Sequence, residues 1–228
     1  MADGDHARAY VKRARQIFIQ FAVIAALLLG TSGDFGWIWA WAYIGFAIFN
    51  LAVNFKVFPR EIVEARSEVH KDIPRWERIV TATLLVLTIV LFGVAGLDHR
   101  LSASPVLPTV VHLMGLALTA AGSGLSTWAV ASNRFFATQV RIQAERGHVV
   151  EQGGPYRWIR HPGYAGFIVS WLALPVLLGT LWAMVPALGI AILFLVRTGF
   201  EDAFLRRNLP GYVGYSAEVP SRIIPGVW

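Results

Sequence analysis

Six runs of apolar residues divide the chain: Ile17–Ser32, Trp37–Val57, Ile79–Leu97, Val106–Ala131, Gly163–Gly179 and Leu181–Val196. A helix needs about 20 residues to cross the hydrocarbon core of a bilayer. The second, third and fourth runs reach that length, and the first approaches it. The last two are short and separated only by Gly179 and Thr180, which predicts a tight helical hairpin or a re-entrant one. No strand alternation interrupts the pattern. The expected fold is all-α: a polytopic membrane helix bundle of about six transmembrane helices. The first run has no small-residue cleavage site before Trp37, so it reads as a retained span rather than a cleaved signal.

Polar segments between the runs set the orientation. Nineteen of the 20 Lys and Arg residues fall before the first run, between the second and third, between the fourth and fifth, or after the sixth; Arg100 alone lies on the other side. Cytoplasmic loops are the basic ones, so both termini are expected in the cytoplasm. Trp37, Trp39 and Trp182 fall near the outer ends of spans, and Trp76 and Trp158 near the inner ends, as interfacial belts require. Arg60–Glu68 reads as a short amphipathic helix with an Arg60–Glu64 pair. Arg134–Arg146 reads as a cytoplasmic continuation of the fourth span, with Arg141 and Glu145 at pairing distance and Gly147 as its stop. The whole chain, 1–228, forms one membrane domain, with four spans in 1–131. The C-terminal half, 132–228, holds the hairpin 163–197 and a cytoplasmic tail 198–228.

Composition sharpens this picture. The chain is 56% hydrophobic and 15% charged, with mean hydropathy +0.55. Soluble domains carry about 25% charged residues. The net charge of +6 is a topology signal here and not a nucleic-acid footprint. There is no cysteine, which excludes disulfide and thiolate chemistry. The histidines do not cluster at ligand spacing and HExxH is absent, so no metal is expected. A GxGxxG turn after a strand is missing too, which excludes a soluble Rossmann-type enzyme.

Candidate chemistry gathers in His148–Tyr164, HVVEQGGPYRWIRHPGY, a polar stretch leading straight into a span. Gly153-Gly154-Pro155 should turn sharply. Pro162 suits the first turn of the fifth helix and puts His161 at its N-cap. Arg160, His161 and that helix start could seat a carboxylate or phosphate, or the segment could be an ordinary interfacial loop. Arg197, Glu201 and Asp202 form a second group where the sixth span emerges. Its acids could hold a cation or a ribose, or Arg197 and Glu201 could be a surface pair. Asn50, Asn54 and His112 are polar groups at membrane depth, explicable by function or by inter-helix hydrogen bonds. Gly122-Ser123-Gly124 reads as close helix packing.

These residues resemble the isoprenylcysteine carboxyl methyltransferase family and the related phospholipid N-methyltransferases. The family pattern reads H-x-x-V-x-x-G-x-Y, R-H-P-x-Y-x-G, a hairpin, an acidic pair and a tyrosine tail. This chain has His148, Gly154 and Tyr156, then Arg160, His161, Pro162, Tyr164 and Gly166. Glu201-Asp202 and Leu209-Pro210-Gly211-Tyr212 with Tyr215 follow. The resemblance runs from about residue 134 to the C-terminus and departs in having Asp202 where the family usually has a second Glu, and Glu151 where an apolar residue is common. The tail wording resembles the bacterial branch, which implies a bacterial cytoplasmic membrane with the active site facing the cytoplasm.

The resemblance implies S-adenosyl-L-methionine as cofactor, with S-adenosyl-L-homocysteine as product. His148, Val149, Val150, Glu151, Gly154 and Tyr156 would line its adenosine side. Arg160, His161, Pro162, Gly163 and Tyr164 would wrap its amino-acid end, with Glu201 and Asp202 reaching it from the sixth helix. Arg197 and Glu201 would be the catalytic pair, Arg197 orienting an acceptor carboxylate. The implied partner is a lipidic or prenylated acceptor entering from the bilayer. Membrane sterol reductases share strings like R-H-P-x-Y, so an NADPH-dependent reductase and a non-catalytic bundle stay open as alternatives.

Overall fold

A computed structural model of the chain describes residues 2–58, 62 and 73–228, with side chains described at 11, 14–58, 62 and 73–228. Among the described residues there are seven α-helices and no strand: α1 (Ala2–Ser32), α2 (Ile38–Val57), α3 (Arg75–Leu101), α4 (Thr109–Ser132), α5 (Pro162–Leu178), α6 (Met184–Asn208) and α7 (Tyr212–Glu218). Five helical stretches are long and apolar enough to cross a membrane, in α1 to α4 and over Leu181–Asn208. The bundle presents large apolar side chains outward along its length, among them Phe18, Leu85, Val110 and Ile192. Such a surface suits lipid rather than water. The amphipathic helix expected over Arg60–Glu68, with its Arg60–Glu64 pair, lies outside the described residues apart from Ile62.

The six apolar runs correspond to α1–α6. The sixth helix continues past Val196 to Asn208 and so carries Glu201 and Asp202, as expected, and α1 begins ahead of its apolar run, at Ala2. The fourth stops at Ser132, so the expected continuation over Arg134–Arg146 is replaced by extended chain and a single 3-10 turn at Ala144–Arg146. Asn133 explains the stop. Its Oδ1 accepts the N–H of Phe135 at 2.9 Å, an Asx turn that competes with helix hydrogen bonds. Gln143, fully buried, then holds the loop by donating to the Phe135 carbonyl at 2.6 Å. Arg141 and Glu145 do pair, at 2.6 Å, and Gly147 stops the turn in a left-handed conformation.

α5 has 17 residues, about 25 Å at 1.5 Å per residue, and is the most enclosed helix of the bundle. It lies against α4 through glycines. A Cβ on Gly122 would stand 2.6 Å from the Gly166 carbonyl oxygen, and one on Gly166 would stand 2.4 Å from that of Gly122. Only paired glycines allow this backbone approach. Ser126 Oγ adds a hydrogen bond to the Gly163 carbonyl at 3.0 Å. The Gly122-Ser123-Gly124 string is thus a packing feature at Gly122. Of the membrane-depth polar groups, Asn54 and His112 bond across helices. Thr127 of α4 donates to Asn54 of α2 at 2.8 Å, and His112 Nδ1 lies 2.8 Å from the Leu177 carbonyl.

Behind α5, Leu28, Leu91, Phe92, Leu177, Leu178 and Ile190 form a fully buried core joining α1, α3, α5 and α6. At the hairpin tip Gly179 adopts φ 73°, and α3 fixes the turn: Asp98 Oδ2 accepts the Trp182 N–H at 3.1 Å. Everything with candidate chemistry lies at the opposite end, where α4 and α6 finish and α3 and α5 begin.

Candidate active site

Pro162 opens α5 at its N1 position with His161 as N-cap residue. The two residues before it are bound by the chain's tail. Arg160 N–H donates to the Ser221 carbonyl at 3.0 Å, and His161 N–H to that of Arg222 at 2.9 Å. Arg160 also spends its side chain on structure. Nε reaches Asp202 Oδ1 at 2.8 Å, and Nη1 reaches the carbonyls of Val219 and Pro220 at 2.6 and 2.7 Å. The Arg160 side chain and the two N–H groups ahead of α5 are therefore bound from within, by Asp202 and the tail.

Glu201 and Asp202 are adjacent on α6 and face different ways, since consecutive helical residues diverge by about 100°. Asp202 is buried and surrounded. Besides Arg160, its oxygens accept from Arg206 at 3.1 Å, Arg222 at 3.2 Å and the Tyr212 hydroxyl at 3.0 Å. Glu201 turns into a cleft and receives the Tyr164 hydroxyl. The Tyr164 ring stacks on His161 with centroids 5.8 Å apart and planes within 4°.

That cleft is partly open to solvent. Of the residues singled out in the sequence, His148, Val149, Val150, Glu151, Tyr156, Arg160, His161, Gly163, Tyr164 and Glu201 line it. Gly154, Pro162, Asp202 and Arg197 do not. Gly154 holds a positive φ of 54°, and a Cβ there would meet Ser132 Oγ at 2.4 Å. Its role is the turn against α4. Glu151 both lines the cleft and stabilises that turn, accepting the Gly153 N–H at 2.7 Å.

Arg197 lies deeper. Nη2 donates to Glu77 Oε1 at 2.5 Å and to the Thr138 carbonyl at 3.1 Å, and the guanidinium carbon stands 5.2 Å from the Tyr164 ring centre. The surface pairing of Arg197 with Glu201 considered from the sequence is absent.

Sequence reasoning gave three parts of this site no role in it, although Tyr212 and Tyr215 stood in the motif. The loop 133–141 supplies Asn133, Phe135, Phe136 and Val140 to the wall, where a helix was expected. Tyr212 and Tyr215 complete the far side. Tyr215 ties down the near one by donating to the Tyr156 carbonyl at 2.8 Å. Glu77 joins from α3. The readable signals were the Asn at the end of an apolar run and a lone acid in the first turn of another.

Burial sets the protonation of the wall. His148 stacks on Phe135 at 4.5 Å. Desolvation, then the nearby charges of Arg141 and Arg146, bring its pKa down to about 4. It is a neutral imidazole at neutral pH. Burial raises the hydroxyl pKa values of Tyr156, Tyr212 and Tyr215, with Asp202 adding to the rise at Tyr212. The cleft therefore offers neutral aromatic faces, the carboxyl side chains of Glu151 and Glu201 and backbone groups. No cluster of metal-ligating side chains occurs among the described residues.

Comparison with known proteins adds the family context. Residues 114–207 match the model of the isoprenylcysteine carboxyl methyltransferase (ICMT) family. Two rice proteins, each named probable protein-S-isoprenylcysteine O-methyltransferase, from Oryza sativa subsp. indica and subsp. japonica, are 31% identical to the chain over 140 residues. The alignment covers 57% of this chain and 73% of each relative. The matched segment contains the loop, the turn and the hairpin that build the cleft.

Proposed function

The chain belongs to the isoprenylcysteine carboxyl methyltransferase family and is a methyltransferase, and on that premise we propose that it methylates the carboxylate of a lipid-like acceptor. S-adenosyl-L-methionine is the methyl donor, and the acceptor is an isoprenylcysteine or a related amphiphile. The reaction takes place at the cytoplasmic face of a membrane. The observation that supports this most is the cleft at the end of the α5–α6 hairpin, walled by His148, Tyr156, His161, Tyr164 and Glu201.

The cleft suits the donor chemically. Glu201 is a carboxylate for an ammonium or for ribose hydroxyls. Tyr156 and Tyr212 offer faces to an adenine, and neutral His148 does not repel positive charge. When bound, S-adenosyl-L-methionine supplies a methyl group activated on a sulfonium sulfur. The acceptor oxygen forms the new C–O bond as the C–S bond breaks, and its negative charge and the sulfonium's positive charge disappear together. No proton moves, so the protein needs no general base. Its contribution is alignment, which is worth up to about 7–11 kcal/mol in favourable cases. Arg197 orients the acceptor carboxylate, and the apolar tail stays among the spans. The Lys and Arg asymmetry supports a cytoplasmic cleft, because the basic loops gather at its end of the bundle.

The test uses purified protein in lipid nanodiscs with methyl-tritiated S-adenosyl-L-methionine and N-acetyl-S-farnesylcysteine. Label should enter the organic phase as a base-labile methyl ester. Base-stable label with added phospholipid would favour N-methylation. NADPH binding without S-adenosyl-L-methionine binding would overturn the reading.

A further inference from the structure

Among the described residues, Glu77 is the one fully buried acid of the bundle's cytoplasm-directed end that the family match does not include. It stands in the first turn of α3, outside residues 114–207. Its Oε1 accepts two hydrogen bonds, from Arg197 Nη2 at 2.5 Å and from the backbone N–H of Val140 at 3.1 Å. The ion pair is one-pronged. Glu77 Oε2 and Arg197 Nε are both buried without a hydrogen-bond partner, and no partner occupies Arg197 Nη1 among the described residues.

A guanidinium carries five N–H donors in a rigid planar fork. Here the two on Nη2 are taken, by Glu77 and by the Thr138 carbonyl. Fixing one nitrogen of the fork fixes the direction of the other three donors. Tyr164 lies against the guanidinium, lines the cleft and donates to Glu201. Arg197 is therefore separated from the cleft by Tyr164, and its Nη2 end is held by α3 and the loop at 138. Because Arg197 is only 7% exposed, it would be an unpaired buried charge without Glu77, which is costly.

We propose that Glu77 is a positioning residue for Arg197: it grips one end of the guanidinium and ties the 138–140 loop to it, leaving the remaining donors open for the acceptor carboxylate. The N-terminal spans thus contribute to acceptor recognition, while the donor cleft is built by the C-terminal half. The inference rests on the proposed carboxyl methylation.

The test is a double-variant cycle on the full chain in nanodiscs, with Glu77→Gln, Arg197→Lys and both together. Glutamine keeps an oxygen for the Val140 N–H and removes the charge. Glu77→Gln should raise KM for N-acetyl-S-farnesylcysteine about tenfold, with kcat within about threefold and donor affinity near wild type, while the melting temperature falls because Arg197 loses its buried counter-charge. Adding it to Arg197→Lys should cost nothing further, since residues acting as one unit are not additive. A purely structural role would instead weaken donor affinity along with acceptor KM. A wild-type KM in Glu77→Gln, or a double variant whose loss is the product of the two singles, overturns the positioning role alone. A wild-type enzyme that methylates no carboxylate overturns the functional reading and this one with it. If Glu77→Gln does not fold, Glu77→Asp takes its place in the same cycle with the same expectations.

Discussion

Replacing Asp202 with Asn separates two roles that its neighbour Glu201 would share if both acids gripped the donor. Asp202 does not reach the cleft; it anchors Arg160, Arg206, Arg222 and the Tyr212 hydroxyl. The cost of Asp202→Asn can be worked from exposure. The Arg206 and Arg222 side chains are 40% and 31% exposed, and water replaces most of what they lose, at most about 1 kcal/mol each. Arg160 is 2% exposed and has nowhere to turn. Breaking a buried pair from one side costs about 3–5 kcal/mol. For a chain of this size, about 4 kcal/mol corresponds to a melting-temperature loss on the order of 10 °C. Thermal unfolding in a mild detergent, followed by tryptophan fluorescence, measures it. The companion variant Glu201→Gln should melt within about 2 °C of wild type and weaken donor binding tenfold or more, on the order of one charged hydrogen bond. Donor affinity by calorimetry completes the pair. If Asp202→Asn melts like wild type while losing donor affinity as Glu201→Gln does, Asp202 touches the donor and the anchoring argument fails.

Other substitutions probe the remaining walls. Tyr164→Phe removes the hydroxyl from Glu201 while keeping the stack on His161. Donor affinity should fall about tenfold with an unchanged melting temperature, and an unchanged affinity would show that the hydrogen bond has no part in binding. His148 has a depressed pKa in the folded chain, so the unfolded chain binds a proton first as pH falls. Stability is then lost between about 6.5, the ordinary value, and about 4, by up to about 3 kcal/mol before solvent screening. His148→Phe should flatten that part of the melting-temperature profile, and a slope equal to wild type would refute the assignment. Gly166→Ala places a Cβ 2.4 Å from the Gly122 carbonyl and should cost about 1–3 kcal/mol by overpacking. Gly124→Ala has nothing within 4 Å and should melt like wild type.

Much of the architecture was legible because lipid imposes a simple rule: long apolar runs must be helices. Pro162 marked the start of α5 and Gly179 its end, since each residue has few other places to go. What the sequence hid depends on side chains overruling local pattern. Asn133 ended α4 by capturing one N–H, and the loop that followed became a cleft wall where Arg141 and Glu145 had looked like helix neighbours. Arg197 and Glu201 share a helix face and could have paired. A second acid from α3, more than a hundred residues earlier in the chain, took the arginine. Periodicity within one element does not carry such long-range competition between partners.

Saturation of hydrogen bonds distinguishes the two charge clusters at this end of the bundle. Asp202 has partners on both oxygens, and Arg160 is held by a carboxylate and two close carbonyls. Nothing about that cluster asks for a further ligand, and its effect is to fasten the tail over the start of α5. The cluster of Glu77, Arg197, Tyr164 and Glu201 is the opposite. It is also buried or half-buried, yet it keeps an acid oxygen and an arginine nitrogen without partners. Burying a polar group unpaired costs free energy that a scaffold would not tolerate without return. The two clusters are in contact through α6, where Glu201 and Asp202 are consecutive. In the proposed reaction the saturated cluster would hold the geometry, and the unsaturated one would keep its capacity for a donor from water and an acceptor from lipid.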